Sequence, residues 1–268
     1  MEIRTSARVS LSKKVAEDAM VVNKKLNVFG VFDGATPISP FKNAEGMNGA
    51  YLASNLFRKY FENHFQSKLT LAEGIIQANR RLMEEMILNN IDITRPEELW
   101  TTCGAVVKID KQKISFAQLG DCMIIAEYHN GHIKTLTKDT VKGISSRAKV
   151  KRENDRKKGI ILPEESYFNS VKNQLIYNRS MANTVNGYSV ANGKETVRSY
   201  IQSGYIDSRD LKSILLISDG LFHPKVDLIH AYKIINAIGL EEYSVQLEKE
   251  ELKNKTHSDD KTGIFIRF

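Results

Sequence analysis

The chain has only two cysteines in its 268 residues, Cys103 and Cys122, and their spacing is not that of a metal knuckle or a disulfide framework. A reduced, cytoplasmic setting is the simplest expectation. No apolar run approaches the ~18 residues of a membrane span, and the opening "MEIRTSARVS" has no apolar core of a secretory signal. There is no G-x-S-x-G elbow and no phosphate-binding G-x-x-x-x-G-K-[ST] loop. Neither cysteine has a histidine-centred setting, and His64, His129 and His132 fall on a helix face or beside a hairpin turn. Covalent catalysis therefore has no evident nucleophile. Internal repeats and linkers are also missing, so residues 1–268 are expected to form one domain.

What the chain does have is charge in one place. The net charge is +7, but Lys142–Lys158 alone carries eight Lys or Arg against two acids. The remainder is close to neutral, so this is one basic segment and not a basic surface. A solvated loop is one expectation, and a patch for an acidic or phosphorylated partner is the other. With no reading motif beside the charge, nucleic acid is not expected as a partner, nor is a membrane.

Hydrophobic periodicity orders the chain. Residues 1–35 alternate short apolar stretches with polar breaks and predict strands. From Gly49 the apolar residues Ala53, Leu56, Phe57, Tyr60, Phe61 and Phe65 recur at helical spacing. A second helix carries Leu71, Ile75, Ala78, Leu82 and Met86, with Thr70 and Glu73 placed as a capping box. Four β-like runs follow Pro96, with turns at Asp110–Gln112 and Asn130–Gly131. Residues 141–205 lack clean periodicity and predict loops and short helices. Then come a strand, helices over Val226–Ile238 and Glu241–Lys255, and a closing strand, "TGIFIRF". Blocks of strands alternating with helix pairs predict an α+β fold, a four-layer α-β-β-α sandwich of two central antiparallel sheets flanked by helix pairs.

Acidic residues stand at the ends of the apolar strands: Glu17 and Asp18 before "AMVV", Asp33 after "VFGVF", Asp121 after "FAQLG", Asp219 after "ILLIS", and Asp259-Asp260 before "TGIFI". One such carboxylate is usually a turn former. Five such sites in one chain point to a cluster, which needs positive charge to neutralise it. Oxygen-only donors suit hard divalent cations, Mg²⁺ or Mn²⁺, and water activated between two such ions is the chemistry that remains.

These residues, in this order, resemble the type 2C protein phosphatases, metal-dependent Ser/Thr phosphatases, in a divergent bacterial-like form. "KKVAED" at 13–18, "VFGVFDGATP" at 28–37, "WTTCGAVV" at 100–107, the segment 116–139, "ILLISDGL" at 214–221 and "DDKTGIFI" at 259–266 are similar to six motifs of that family. The resemblance implies hydrolysis of phosphoserine and phosphothreonine on proteins by a metal-bound hydroxide at a binuclear Mn²⁺ or Mg²⁺ centre. Asp33 would bridge both metals and the Gly34 carbonyl would serve the second. Asp219 and Asp259 would complete one metal, with Asp260 the alternative one residue on. Glu17 and Asp18 would act mostly through waters, and Asp121 lies where bacterial members add a third, weaker metal. The family's phosphate-gripping arginine falls on Lys13, a cation without the bidentate fork. Ala35 stands where many members have a histidine acid. Residues 141–205 correspond to the family's flap. The expected partners are a phosphorylated protein substrate and a cognate Ser/Thr kinase, the chain itself being a monomer. The alternative is a catalytically weak regulatory module of the same fold that binds a phosphorylated or kinase partner.

Overall fold

An unbroken apolar run such as "VFGVF" suits a strand covered on both sides, and that is what it forms. The computed structural model describes residues 1–268. In chain order its strands and helices are β1 (Glu2–Arg8), β2 (Ala19–Asn23), β3 (Val28–Gly34), α1 (Gly49–Asn63), α2 (Leu71–Leu88), β4 (Thr102–Ile109), β5 (Lys113–Leu119), β6 (Met123–Tyr128), β7 (Ile133–Thr135), α3 (Ile144–Lys157), α4 (Val171–Ser180), β8 (Gln202–Asp207), β9 (Leu211–Ile217), α5 (Leu228–Ile238), α6 (Leu240–Asn254) and β10 (Lys261–Arg267). One sheet runs β2-β3-β4-β5-β8 and the other β1-β10-β9-β6-β7. Every pairing is antiparallel.

The two-residue side-chain period of the strands separates three layers of core. Val28 and Phe32 of β3 pack outward against Phe57, Phe61 and Leu82 of α1 and α2. Phe29 and Val31 face inward and meet Ile214, Leu216, Ile264 and Ile266 of the second sheet. That sheet's outer residues, Leu215, Ile217 and Phe265, are covered by Tyr232, Ile235 and Tyr243 of α5 and α6. Each such side chain, fully buried, contributes about 1.5–3 kcal/mol. The four-layer α-β-β-α sandwich expected from the sequence is the observed architecture. The Thr70 capping box is also present: Glu73 N–H donates to Thr70 Oγ1 and Thr70 N–H donates to the Glu73 carboxylate. No helix is long and apolar enough to cross a membrane.

The region 141–205 differs from expectation in two ways. Its end is an edge strand, β8, paired to β5. Its basic run is not a solvated loop but helix α3, and several of its cations are consumed internally. Arg147 donates to the carbonyls of Thr140, Lys142, Asn186 and Gly187. Arg152 is buried, stacked 4.1 Å from the Phe168 ring and 4.8 Å from that of Tyr177. Arg152 and Arg156 both pair with Glu165, at 2.5 and 3.0 Å. These contacts are a small core within this segment.

That core has a testable pH dependence. Hydrogen bonding to Arg152, opposed by desolvation and assisted by Arg156, holds the Glu165 carboxyl down to about 2. A depressed carboxyl stabilises the fold above its ordinary value of 4.5 and loses that contribution as pH falls toward 2. Glu165 is itself partly exposed, which screens the pair, but its loss leaves the buried Arg152 unpaired. Glu165→Ala is expected to cost about 1–2 kcal/mol at pH 7. Limited proteolysis should cut the 141–180 segment faster in the variant at pH 7, and the two proteins should converge as pH falls from 4.5 toward 2.

Candidate functional site

The strand period that builds the core also aims the carboxylates. Asp33 is two residues beyond Val31, so its side chain looks into the gap between the sheets where that gap opens. Its carbonyl is held by Thr102 Oγ1 at 2.8 Å. Gly34 is required sterically: a Cβ there would sit 2.4 Å from the Ala50 carbonyl oxygen and 2.7 Å from that of Glu17. On the opposite sheet, Ser218 continues the inward face of Ile214 and Leu216 and donates from Oγ to Asp18 Oδ2 at 2.7 Å. This bond ties the two sheets together directly behind the acidic cluster, and Asp219 follows it at the cavity wall.

Asp33, Gly34, Asp121, Asp219 and Asp259 come together around one cavity of about 200 Å³. They arrive from the end of β3, the β5–β6 turn, the end of β9 and the start of β10. Burial pushes the Asp33 carboxyl well above the carboxylate range, and the charges of Asp219, Asp18 and Asp121 push it further. Asp219 is raised, chiefly by burial. Asp121 is pushed up to about 7 by burial and then by Asp219. Buried oxygens Asp121 Oδ1 and Asp219 Oδ1 have no hydrogen-bond partner. A protein does not leave carboxylate oxygens orphaned side by side without a compensating charge.

Glu17 and Asp18 stand behind this wall. Asp18 is buried, and burial, opposed by its hydrogen bonds to Ser218 and Thr262, raises its carboxyl well above the usual range. Glu17 accepts from Asn48 Nδ2 at 2.5 Å and pairs with Lys13 at 2.7 Å. Lys13 Nζ also contacts Asp259 Oδ1 at 2.9 Å and Asp260 Oδ2 at 3.1 Å. Burial opposes the charge on Lys13, but the bonds to Glu17 and Asp259 outweigh it and keep the amine above its ordinary range. Of the two consecutive aspartates, Asp259 lines the cavity, while Asp260 is 1% exposed and accepts from the backbone N–H of Ser10 and Glu17.

The donor set suits hard divalent cations. Asp33, Asp121 and Cys122 place one ligand atom each within 4.8 Å of one another. Burial raises the Cys122 thiol well above its usual range, which keeps it protonated and a poor ligand. The carboxylates remain, an oxygen set with unsatisfied acceptors, and it fits Mn²⁺ or Mg²⁺.

Two neighbours of the cavity escaped sequence reasoning. Arg179 of α4 lines it, donating from Nη2 to the Thr36 carbonyl at 2.8 Å and from Nη1 to Thr101 Oγ1. An adjoining groove of about 670 Å³ shares Asp121 and Asp219 with the cavity and is lined on its far side by Phe222, His223 and Val226. No local pattern distinguishes either, since both depend on distant segments meeting.

Comparison with known proteins finds the same fold elsewhere. Stp1, a serine/threonine phosphatase from Staphylococcus aureus, superposes with a TM-score of 0.60 at 16% identity, over 100% of this chain and 94% of its own. PppA, described as a key regulatory component of T6SS in Pseudomonas aeruginosa, gives 0.61 at 16% identity, covering 100% and 97%. The catalytic domain of the phosphatase PstP, solved in complex with 2 manganese ions, gives 0.60 at 15% identity over 98% and 96%. At these identities the likeness is one of fold. No curated protein matches the chain significantly by sequence. A model of the family described as protein phosphatase 2C matches residues 12–256, which take in β2 to α6 and every cavity aspartate but Asp259, and the chain belongs to that family.

Proposed function

We propose that this protein hydrolyses phosphoserine and phosphothreonine on proteins at a binuclear Mn²⁺ or Mg²⁺ centre in the carboxylate cavity. The observation that carries the reading is the meeting of Asp33, Asp121, Asp219 and Asp259 from four separate chain segments, two of them with orphaned oxygens. Family membership supports protein phosphatase chemistry on independent grounds. The residues that would hold the cations are Asp33, Asp219 and Asp259 with the Gly34 carbonyl, Asp121 adding a further position. Glu17 and Asp18, set behind them, would orient water. Lys13 clasps Glu17, Asp259 and Asp260 together and so fixes their spacing. Divalent cations bound there would lower the pKa of water and offset the charge of phosphoryl oxygens, which is the chemistry needed by a cavity whose one thiol, Cys103, is kept protonated by burial.

Cavity size argues for the substrate class. About 200 Å³ is smaller than a typical small-molecule pocket. It has room for a phosphoryl group on a short side chain. The adjoining groove, which begins at Asp121 and Asp219, would take the polypeptide on either side of that residue. The cavity lining offers no imidazole, Ala35 standing there instead, so the leaving alcohol would take its proton from water.

Incubating the protein with p-nitrophenyl phosphate and with a phosphothreonine peptide is expected to release phosphate with Mn²⁺ and to stop on addition of EDTA. Lack of release from either substrate with Mn²⁺ or Mg²⁺ would overturn the reading. Turnover of the small ester but of no phosphopeptide would move it to a small-molecule phosphatase.

A further inference from the structure

Transfer of a phosphoryl group asks a protein mainly for positioning and charge, and the strongest grip on its oxygens is a planar, multi-donor cation. Lys13 is the first group to consider. An ammonium has three N–H donors, and here three carboxylates take them, at 2.7, 2.9 and 3.1 Å. Nothing is left over for a substrate oxygen. Lys13 is a clasp for the acids, and it is not among the residues that line the cavity.

The cavity has another cation. Arg179 sits in the last turn of α4 and lines the same cavity as the four aspartates. It forms no ion pair with any of them. Its guanidinium is instead pinned by two neutral acceptors, the Thr36 carbonyl and Thr101 Oγ1. Thr36 is three residues beyond Asp33, and Thr101 directly precedes the strand that pairs with β3. The guanidinium is therefore referenced to the same backbone that places Asp33, although it is carried by the flap. A guanidinium has five N–H groups, and these anchors use two. The rest belong to a full positive charge with no anionic partner, held beside a cavity built to receive one.

We propose that Arg179 is the phosphate-orienting residue of this protein, its remaining N–H groups holding non-bridging oxygens of the substrate's phosphoryl group. The inference rests on the phosphatase reading above and adds the source of the grip: the 141–205 flap, not the amino-terminal motif. Phosphate binding and docking of the flap on the sandwich then become one event, since the same side chain performs both.

The test compares Arg179→Lys and Arg179→Ala with the wild type, all loaded with Mn²⁺. Three quantities are measured: kcat and KM for p-nitrophenyl phosphate, the inhibition constant of orthophosphate, and orthophosphate binding by calorimetry. Loss of a bidentate, charge-assisted contact predicts an inhibition constant and a KM about tenfold to a hundredfold higher in both variants, with a smaller fall in kcat. Arg179→Lys keeps the charge and most of the stem, so it should fold, and it decides the matter if Arg179→Ala does not. Unchanged orthophosphate binding in Arg179→Lys would overturn the proposal. So would a variant whose flap is cut faster by protease while its inhibition constant stays put, since Arg179 would then be a latch only. A wild type inactive with Mn²⁺ is a separate outcome that sinks the phosphatase reading itself.

Discussion

Asp33→Asn is expected to abolish Mn²⁺-dependent phosphate release and, at the same time, to raise the melting temperature of the metal-free protein. The two effects have one cause. Asp33 is ionised only at the expense of burial and of the facing charges of Asp219, Asp18 and Asp121. For carboxyls whose folded pKa is raised, the fold is most stable below the ordinary value of 3.8 and loses stability as pH rises through the folded value. For Asp121 that loss is complete only above about 7. A neutral amide of the same shape removes one of the repelling charges. The gain should be about 1–3 kcal/mol, or roughly 2–10 °C for a chain of this size. The activity should fall by about 10³-fold or more, since a carboxylate proposed to hold the cations is lost. In calorimetry with EDTA, the wild type should melt lower at pH 8 than at pH 5, and Asp33→Asn should narrow that gap. Adding Mn²⁺ should stabilise the wild type strongly and the variant little. A variant no more stable than wild type in EDTA, and equally stabilised by Mn²⁺, would remove Asp33 from the centre.

The placement of Asp33 was legible because a strand's period is short and strict. Once "VFGVF" is a two-sided strand, the direction of the next side chain follows, whereas Asp219 lies in a short helical turn beyond β9 that the strand period does not aim. Helices α1 and α2 were legible for the same reason, with a 3.6-residue stripe and a capping box at Thr70. The choice between Asp259 and Asp260 was not decided by pattern, since both precede β10 in a segment without a period. Strand β8 was missed because it is an edge strand: "QSGYID" has no apolar stripe, and Tyr205 is exposed. The basic run misled by composition, because an arginine that caps four carbonyls, as Arg147 does, reads the same as one in solvent. Arg179 was beyond local reading altogether, since its anchors lie 78 and 143 residues away in the chain.

Asp260→Asn, the same chemical change 227 positions along the chain from Asp33, is expected to act with the opposite sign. Asp260 is 1% exposed, and both of its oxygens are used as acceptors. Oδ1 takes the Ser10 N–H at 2.7 Å, and Oδ2 takes the Glu17 N–H at 2.7 Å and Lys13 Nζ at 3.1 Å. An amide must turn its NH₂ toward one of these donors, leaving a buried N–H facing an N–H whichever way it flips. It also withdraws one of the three negative partners of Lys13. The side chain cannot move away, since its own backbone packs against Gly220 so closely that a Cβ there would be 1.9 Å from the Asp260 carbonyl oxygen. The cost should be about 2–4 kcal/mol, a fall of roughly 5–15 °C, and it should appear in EDTA as fully as with Mn²⁺. Equal melting temperatures for Asp260→Asn and wild type in EDTA would refute the assignment. The distinction between these two aspartates is then physical: Asp33 carries a charge the fold would shed and the proposed metal centre would need, whereas Asp260 carries one the fold itself requires. Because Asp260 holds the backbone of Glu17 and the amine of Lys13, its loss should also lower activity, but through displacement of the acids that Lys13 spaces and not through loss of a ligand.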